Sequence, residues 1–540
     1  MPRRPAEVGQ PHASTLGRRG ARMDAMSHTA AASPEPEAIG RVRRTQVAVI
    51  GGGIAGLVAA LEWARIGASV TVIEQRARLG GAIETRELDG LPVDLVADTL
   101  PLGDAGVAAL LDELGLRDAI EASAAHPVWV AGLPGTPGAA PLPSGAIVGV
   151  PANPWADDVR RVIGWSGAWR AYLDRLRPPL TIGHERSLGR LVRTRMGARV
   201  VDRLVAPVTR GLYGVEPDDI DVDAAAPGLS AALTRVGSLA GAVAAQLPDA
   251  VPTGEPGVEA ASRGASRGTL RGGLVLLVAA LTRRLSELDA NVVTGATVTE
   301  ITRRDGVWHL AVASDSPAVD EADRPDHPDE PGASRVADVV VLATGGAAAS
   351  TLLTSAGITI AAGSAPAARS REVVTLVVEA PVLDAAPRGR AVYPVARAAG
   401  DGSETGAVAS AVVHATADWP WLAAAAGPGR HVLRVTLDGP PPASDEAAVA
   451  LATRVAGDLL GAPLPAPRAA AVARVAAPLP ASSIGHAERT ARVRASVAGA
   501  PGLAVVGSWV AGGGIGQVVG DAIAEIDRQR RAVLWSDGEN

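Results

Sequence analysis

From Val47 to Leu61 the chain reads VAVIGGGIAGLVAAL: a short apolar run, three consecutive glycines, and then an alanine-rich stretch of helical character. A brief apolar run bounded by glycine predicts a buried strand, and the stretch after it predicts a helix. The next apolar run, SVTVIEQ, predicts a second strand ending at Glu74 and Gln75. From Gly103 to about Leu229 apolar residues recur every three or four positions, in AGVAALLDELGL, AWRAYLDRL and LGRLVRTRMGARVVDRLVAPVTRGLYG. That spacing predicts a helical insertion over residues 103–229, after a first strand–helix segment over 45–102.

A stretch rich in Pro, Gly, Ser and Ala then marks residues 230–265 as linker and the edge of another domain. Residues 266–350 carry a helix, GGLVLLVAALTRRLSEL, and two strand-rich runs, NVVTGATVTEITRRDGVWHLAVA and ADVVVLATGG. Between those runs the acidic segment 314–334 reads as a solvated hairpin tip. Residues 351–495 alternate as strands of a second sheet, and 496–535 return to an apolar strand, a glycine-rich turn and a helix. The predicted class is α/β. A doubly wound domain is assembled from distant segments, with a helical insertion and a mixed-sheet substrate domain between them.

The first turn has the form Gly51-x-Gly53-x-x-Gly56, placed between strand and helix, where such a turn holds a dinucleotide. Gly51 permits the tight turn, Gly53 lets backbone approach a pyrophosphate, and Gly56 lets helix and strand pack closely. Gly52, Ile54 and Ala55 complete the loop and first helical turn, whose N–H groups face the phosphates. Glu74 lies about 20 residues beyond Gly53, where an acidic side chain meets a ribose hydroxyl, with Gln75 beside it. The pair Gly80 and Gly81 permits a second close backbone approach.

Composition narrows the chemistry. The 540 residues are 47% hydrophobic and 20% charged with a net charge of -6, which suits a soluble globular protein and offers nucleic acid no broad attraction. There is no Cys, so disulfides, thiolate metal sites, a cysteine nucleophile and a cysteinyl flavin link are excluded, and no metal is expected. Lys and Phe are absent too, leaving Arg as the strong cation. Residues 1–44 read as a disordered leader, with an organelle-targeting arm as the alternative. No apolar stretch approaches the ~18 residues of a membrane span, so the expected location is cytoplasmic, with peripheral membrane contact left open.

Taken together, the first glycine turn, the acidic strand end, the RLGG turn at Gly80–Gly81 and the C-terminal glycine turn resemble the FAD-dependent protoporphyrinogen and coproporphyrinogen oxidases of the flavin amine oxidase superfamily. ERSLGRLVRTRMGARVVDRLVAPVTRGLYGVEPDDIDVDAAAPGL and LPASSIGHAERTARVRASVAGAPGLAVVG are similar to that branch, and the resemblance runs from about Thr45 to Arg531. It implies noncovalent FAD, with Gly51 to Gly56 at the pyrophosphate and Glu74 at the ribose. It also implies backbone contact from Val298 to adenine, Trp419 near the flavin, and Gly513, Gly514 and Ile515 in the C-terminal turn. Three positions depart from the pattern: Ala82 where a cation is usual, VADT from Val96 to Thr99 where Gly-Pro-Asp-Ser is usual, and Gln517 where Pro is usual.

The implied reaction takes hydride equivalents from a porphyrinogen to FAD, with molecular oxygen reoxidising the cofactor, in haem biosynthesis. Coproporphyrinogen III ranks ahead of protoporphyrinogen IX because Arg can clamp its additional propionates. Arg210 is the candidate clamp and His486 a candidate for proton transfer, each also readable as a structural residue. Another flavin oxidoreductase, such as an amine oxidase or carotenoid desaturase, is one alternative. A catalytically silent flavin-binding partner, suggested by VADT, is the other.

Overall fold

The computed structural model describes residues 43–135, 138–177, 185–247, 267–314, 334–360, 369–395, 398–399, 407–477 and 479–535. Nearly all of the expected leader, and the acidic segment between 315 and 333, lie outside the described residues. Five parallel strands form the first sheet: β1 (Gln46–Ile50), β2 (Ser69–Glu74), β3 (Asn291–Thr294), β4 (Val339–Leu342) and β5 (Leu503–Val505), in the order β3-β2-β1-β4-β5. Chain beginning, middle and end thus meet in one sheet. Alternation sends Val47, Val49 and Val72 to one face, against α1 (Ile54–Ala64) and the helices Val275–Glu287 and Ile515–Trp535. Ile50, Ile73 and Leu342 point the other way, beneath the strands Ala296–Arg304 and Val307–Ser314 and the helix Gly346–Ser355. Both faces are covered, which a parallel sheet of Val and Ile requires.

The second sheet contains eight strands, following the path Ala469–Ala477, Arg369–Glu379, Arg430–Asp438, Val408–His414, Ala391–Pro394, Val128–Ala131 and Ala139–Pro141, with Ala398–Ala399 paired to Val408–His414. Helix Asp445–Leu460 covers one face through Leu433, Val435 and Leu437. Residues between those on the same strand, Arg434 among them, point to the other face, towards the first domain.

Two strands of this sheet come from within the span expected to be helical. The described residues between 120 and 156 are broken by Pro and Gly and carry Val and Ala without a 3.6-residue repeat, so they form short strands before the helical stretch Asp157–Tyr172, which is itself kinked at Gly164. The long run from Leu188 also divides. It breaks at Gly197, whose φ of +95° ends the helix Leu188–Met196, and resumes through wide turns at Val201–Val205 and Thr209–Tyr213.

One carboxylate ties the first domain together near the site. Asp94 accepts from the Leu274 N–H at 3.1 Å with each oxygen and from the Thr85 hydroxyl. It therefore joins the hairpin Thr85–Leu88/Leu91–Asp94 to the start of helix Val275–Glu287. Burial pushes its carboxyl up from the ordinary 3.8 to about 6, against the hydrogen bonds from Thr85 and Leu274. The folded state then binds this proton more tightly than the unfolded state. Its contribution to stability is complete below about pH 4 and is lost as the pH rises through 6. Asp94→Asn is expected to remove that slope, so denaturant midpoints of variant and wild type should diverge between pH 4.5 and 7. Parallel midpoints would show that Asp94 titrates normally.

Candidate functional site

The glycine turn imposes three different constraints. Gly51 has φ +109°, and a Cβ there would lie 2.7 Å from the Ala343 carbonyl oxygen. At Gly56 a Cβ would lie 1.9 Å from the Gly51 oxygen, so close packing forbids a side chain. Gly53 differs: an added Cβ would meet only the Gly81 Cα, at 3.9 Å. The fold itself tolerates an atom there, and the space is available to a ligand. Gly53 is also the N-cap of α1 and gives it no side-chain cap, so Ile54 and Ala55 begin a helix whose amides face that space.

A second turn closes on the first. Gly80 N–H donates to the Gly52 carbonyl at 2.8 Å, and a Cβ at Gly81 would lie 3.1 Å from the Gly53 Cα. Arg78 holds this turn from outside, donating to the carbonyls of Gly81 at 3.2 Å and of Leu79 and Ile83 at 3.3 Å, and pairing with Glu84. The Glu74 carboxylate accepts from Gly52 N–H at 2.6 Å and Arg76 N–H at 2.9 Å, which fixes it at the mouth of the turn; Gln75 is exposed. Gly295 N–H donates to the Arg76 carbonyl at 3.0 Å, so the strand beginning at Ala296 starts beside that end of β2. Val298 is 8% exposed, and a register shift follows it, so the strand is irregular where backbone contact with adenine was expected.

The segment Val96–Thr99 links this cradle to both other parts. Ala97 N–H donates to the Ala82 carbonyl at 3.4 Å, beside Gly81, and Ala82 itself is exposed. Two residues past Thr99, Pro101 touches Gly516, where a Cβ would lie 2.8 Å from its ring. Gly513 and Gly514 are exposed and Ile515 buried at the start of the C-terminal helix, whose Gln517 carboxamide accepts from Gly514 N–H at 3.3 Å. The turn thus has a glutamine cap where the resemblance expects Pro.

Sheet residues complete the enclosure. Arg434 pairs with Asp98 and donates to the Val96 carbonyl at 3.1 Å. Arg267 donates to Thr99 at 3.3 Å and to both oxygens of Asp418, at 3.3 and 3.1 Å, and its guanidinium lies 5.4 Å from the Trp419 ring. Asp418 is fully buried and also accepts from the Ser123 hydroxyl; Trp419 is 2% exposed. Burial opposes ionisation of Asp98, but Arg434 and Arg267 outweigh it and hold the carboxyl below its ordinary range.

Two expected residues have other engagements. Arg210 is committed to Glu216, with contacts of 2.8 to 3.1 Å, and reaches the Val395 carbonyl at 3.4 Å. His486 is buried with Nε2 3.0 Å from the Val510 carbonyl, and burial lowers its pKa. Arg267, Arg390, Arg434 and Asp418 carried no sequence signal, since each is a single charge whose partner lies far along the chain, whereas Arg78 belongs to the RLGG turn and its partners are all within six residues. Asp98 carried one, inside the atypical VADT.

The parallel sheet, the paired glycine turns and the helix returning from the chain's end define a dinucleotide-binding oxidoreductase fold. The chain belongs to the flavin-containing amine oxidoreductase family, whose model matches residues 54–525. It is a flavoprotein of that family. Relatives named coproporphyrinogen III oxidase include one from Mycobacterium tuberculosis (strain H37Rv), 33% identical over 35% of this chain and 41% of its own length. Another, from Propionibacterium freudenreichii, is 30% identical over 36% of each chain. The aligned part thus spans well under half of these relatives.

A solved structure from Exiguobacterium sp. 255-15, assigned as a protoporphyrinogen oxidase, superposes with TM-score 0.72 over 90% of this chain and 98% of its own, at 22% identity. Putrescine oxidase gives 0.56 over 91% and 99%, at 14% identity. These likenesses speak to the fold. Among the described residues there is no cluster of three or more potential metal ligands, and no helix is long and apolar enough to cross a membrane.

Proposed function

We propose that the chain binds FAD noncovalently and oxidises a porphyrinogen, coproporphyrinogen III ahead of protoporphyrinogen IX, with molecular oxygen as acceptor, in haem biosynthesis. The observation that carries this reading is the meeting of the glycine cradle with a charged sheet face through Val96–Thr99. Gly51 to Gly56, Gly80 and Gly81 would hold the pyrophosphate, Glu74 the ribose, Val298 the adenine, and Gly513 to Ile515 and Trp419 the flavin end. FAD, when bound, supplies the hydride acceptor. The chain's own residues position the macrocycle, exclude water and balance its acid side chains. Names of the relatives support the substrate class.

Anaerobic mixing of holoprotein with each porphyrinogen tests this. Flavin bleaching followed by porphyrin fluorescence is expected, with kcat/KM favouring coproporphyrinogen. Denaturation should release intact FAD. Retained flavin that neither porphyrinogen reduces would favour the silent partner, a reading supported by the departure at Val96–Thr99.

Peripheral membrane contact is the remaining part of the reading. It is supported by Trp165 and Trp169, 69% and 57% exposed, packed around Trp155, with the Arg160 guanidinium 4.2 Å from the Trp165 ring. Tryptophan and arginine together suit an anionic interface. Trp165→Ser with Trp169→Ser is expected to reduce co-sedimentation with anionic vesicles about tenfold; equal sedimentation would place any contact elsewhere.

A further inference from the structure

The charged cluster beside Trp419 is unbalanced. Asp98 and Asp418 face three guanidiniums, those of Arg267, Arg390 and Arg434. Two have a carboxylate within ion-pair range: Arg434 pairs with Asp98 and donates to the Val96 carbonyl, although its buried Nε makes no hydrogen bond, and Arg267 is held by Asp418 and Thr99. Arg390 is the third. Its nearest carboxylate oxygen belongs to Asp418 at 3.9 Å, beyond hydrogen-bond reach, and its guanidinium donates to no other described residue. Burial, and then repulsion from Arg267, make its charged form costly, although its side chain keeps 23% exposure. A partly buried guanidinium with five unused donors is a recognition element waiting for an anion.

The surroundings say which anion. Arg390 immediately precedes the strand Ala391–Pro394, where Ala391 and Tyr393 pack with Ala411, and Val128, Leu142 and Val413 extend that small apolar cluster. Gly211 lies against the Tyr393 ring, where a Cβ would come within 2.4 Å, so the helical insertion abuts the same place. An apolar wall with one unspent cation at its end suits a largely apolar molecule bearing a carboxylate arm. Arg210, near this wall, is neutralised by Glu216 and lacks the free donors.

We infer that Arg390 receives a carboxylate of the substrate and sets the preference for the acid over its neutral ester. This rests on the reading of the substrate as a porphyrinogen. A bidentate guanidinium–carboxylate contact restores the missing balance, adding the negative charge that Asp98 and Asp418 alone do not supply to three guanidiniums.

The test uses holoprotein with coproporphyrin III and its tetramethyl ester as binding probes, read by porphyrin fluorescence, and the corresponding porphyrinogens for kcat/KM. Wild type should bind the acid more tightly than the ester. Arg390→Gln should shrink that preference at least about tenfold while leaving flavin content and ester binding unchanged. Arg390→Lys should restore part of it, and Arg210→Gln should leave it intact. An unchanged acid-to-ester ratio in Arg390→Gln, or no preference in wild type, would overturn the inference. Failure of the porphyrinogens to bleach the flavin, while wild type prefers the acid and Arg390→Gln does not, would sink the redox reading and leave the carboxylate site standing.

Discussion

Gly53→Ala should yield a folded protein that has lost its flavin. The added methyl makes only an ordinary contact, with Gly81 Cα at 3.9 Å, so nothing in the ligand-free fold resists it. It occupies the space between two glycine turns that α1 leaves open at its uncapped N-terminus. A pyrophosphate cannot approach the backbone past a side chain there, and affinity is expected to fall on the order of 100-fold. Gly56→Ala is the informative contrast. Its methyl would stand 1.9 Å from the Gly51 oxygen, so β1 and α1 must separate and stability itself should suffer. Reconstitution with FAD and denaturant melts distinguish the two effects. Full flavin retention by Gly53→Ala would place the dinucleotide elsewhere.

Asp418→Ala is expected to be the most destabilising substitution at the sheet face. The carboxylate is fully buried, holds Arg267 with both oxygens, and accepts from Ser123. Removing it leaves Asp98 as the one carboxylate of the cluster facing Arg267, Arg390 and Arg434, and breaking a buried pair in this way costs about 3–5 kcal/mol. Serine at position 123 loses a partner as well, whereas Ser123→Ala should cost only about 1 kcal/mol. Denaturant titration of the three proteins checks the order; equal midpoints for Asp418→Ala and wild type would mean that water replaces the carboxylate.

Much of the dinucleotide domain was legible because its signals are local. Val47 to Gly56 carries strand, turn and helix within ten residues, and the residues around Glu74, Gly80 and the last glycine turn repeat that grammar. The helical assignment failed at residues 120–156 because short strands of Val and Ala between prolines have little periodicity to read. What makes Val128–Ala131 a strand is its neighbour Ala391–Pro394, more than two hundred residues away. The charged cluster was hidden for the same reason. Arg267 and Asp418 look like isolated charges until the fold brings them together, whereas Arg210, read as either a clamp or a structural residue, has its partner Glu216 only six residues away.

The first domain also constrains the order in which the protein can be made. Its sheet is closed by β5 at Leu503–Val505, and the helix Ile515–Trp535 covers α1 in the core that contains Val518, Val519, Ala522 and Ile526. A growing chain therefore emerges with its glycine cradle more than four hundred residues ahead of the helix that seals it. Through most of translation the edge of β4 and the apolar side of α1 have no native cover, and such surfaces invite misassembly. The helix Ile515–Trp535 must leave the ribosome before the first domain can close, so a chain stalled short of it carries the glycine turns without the packing that holds them in place.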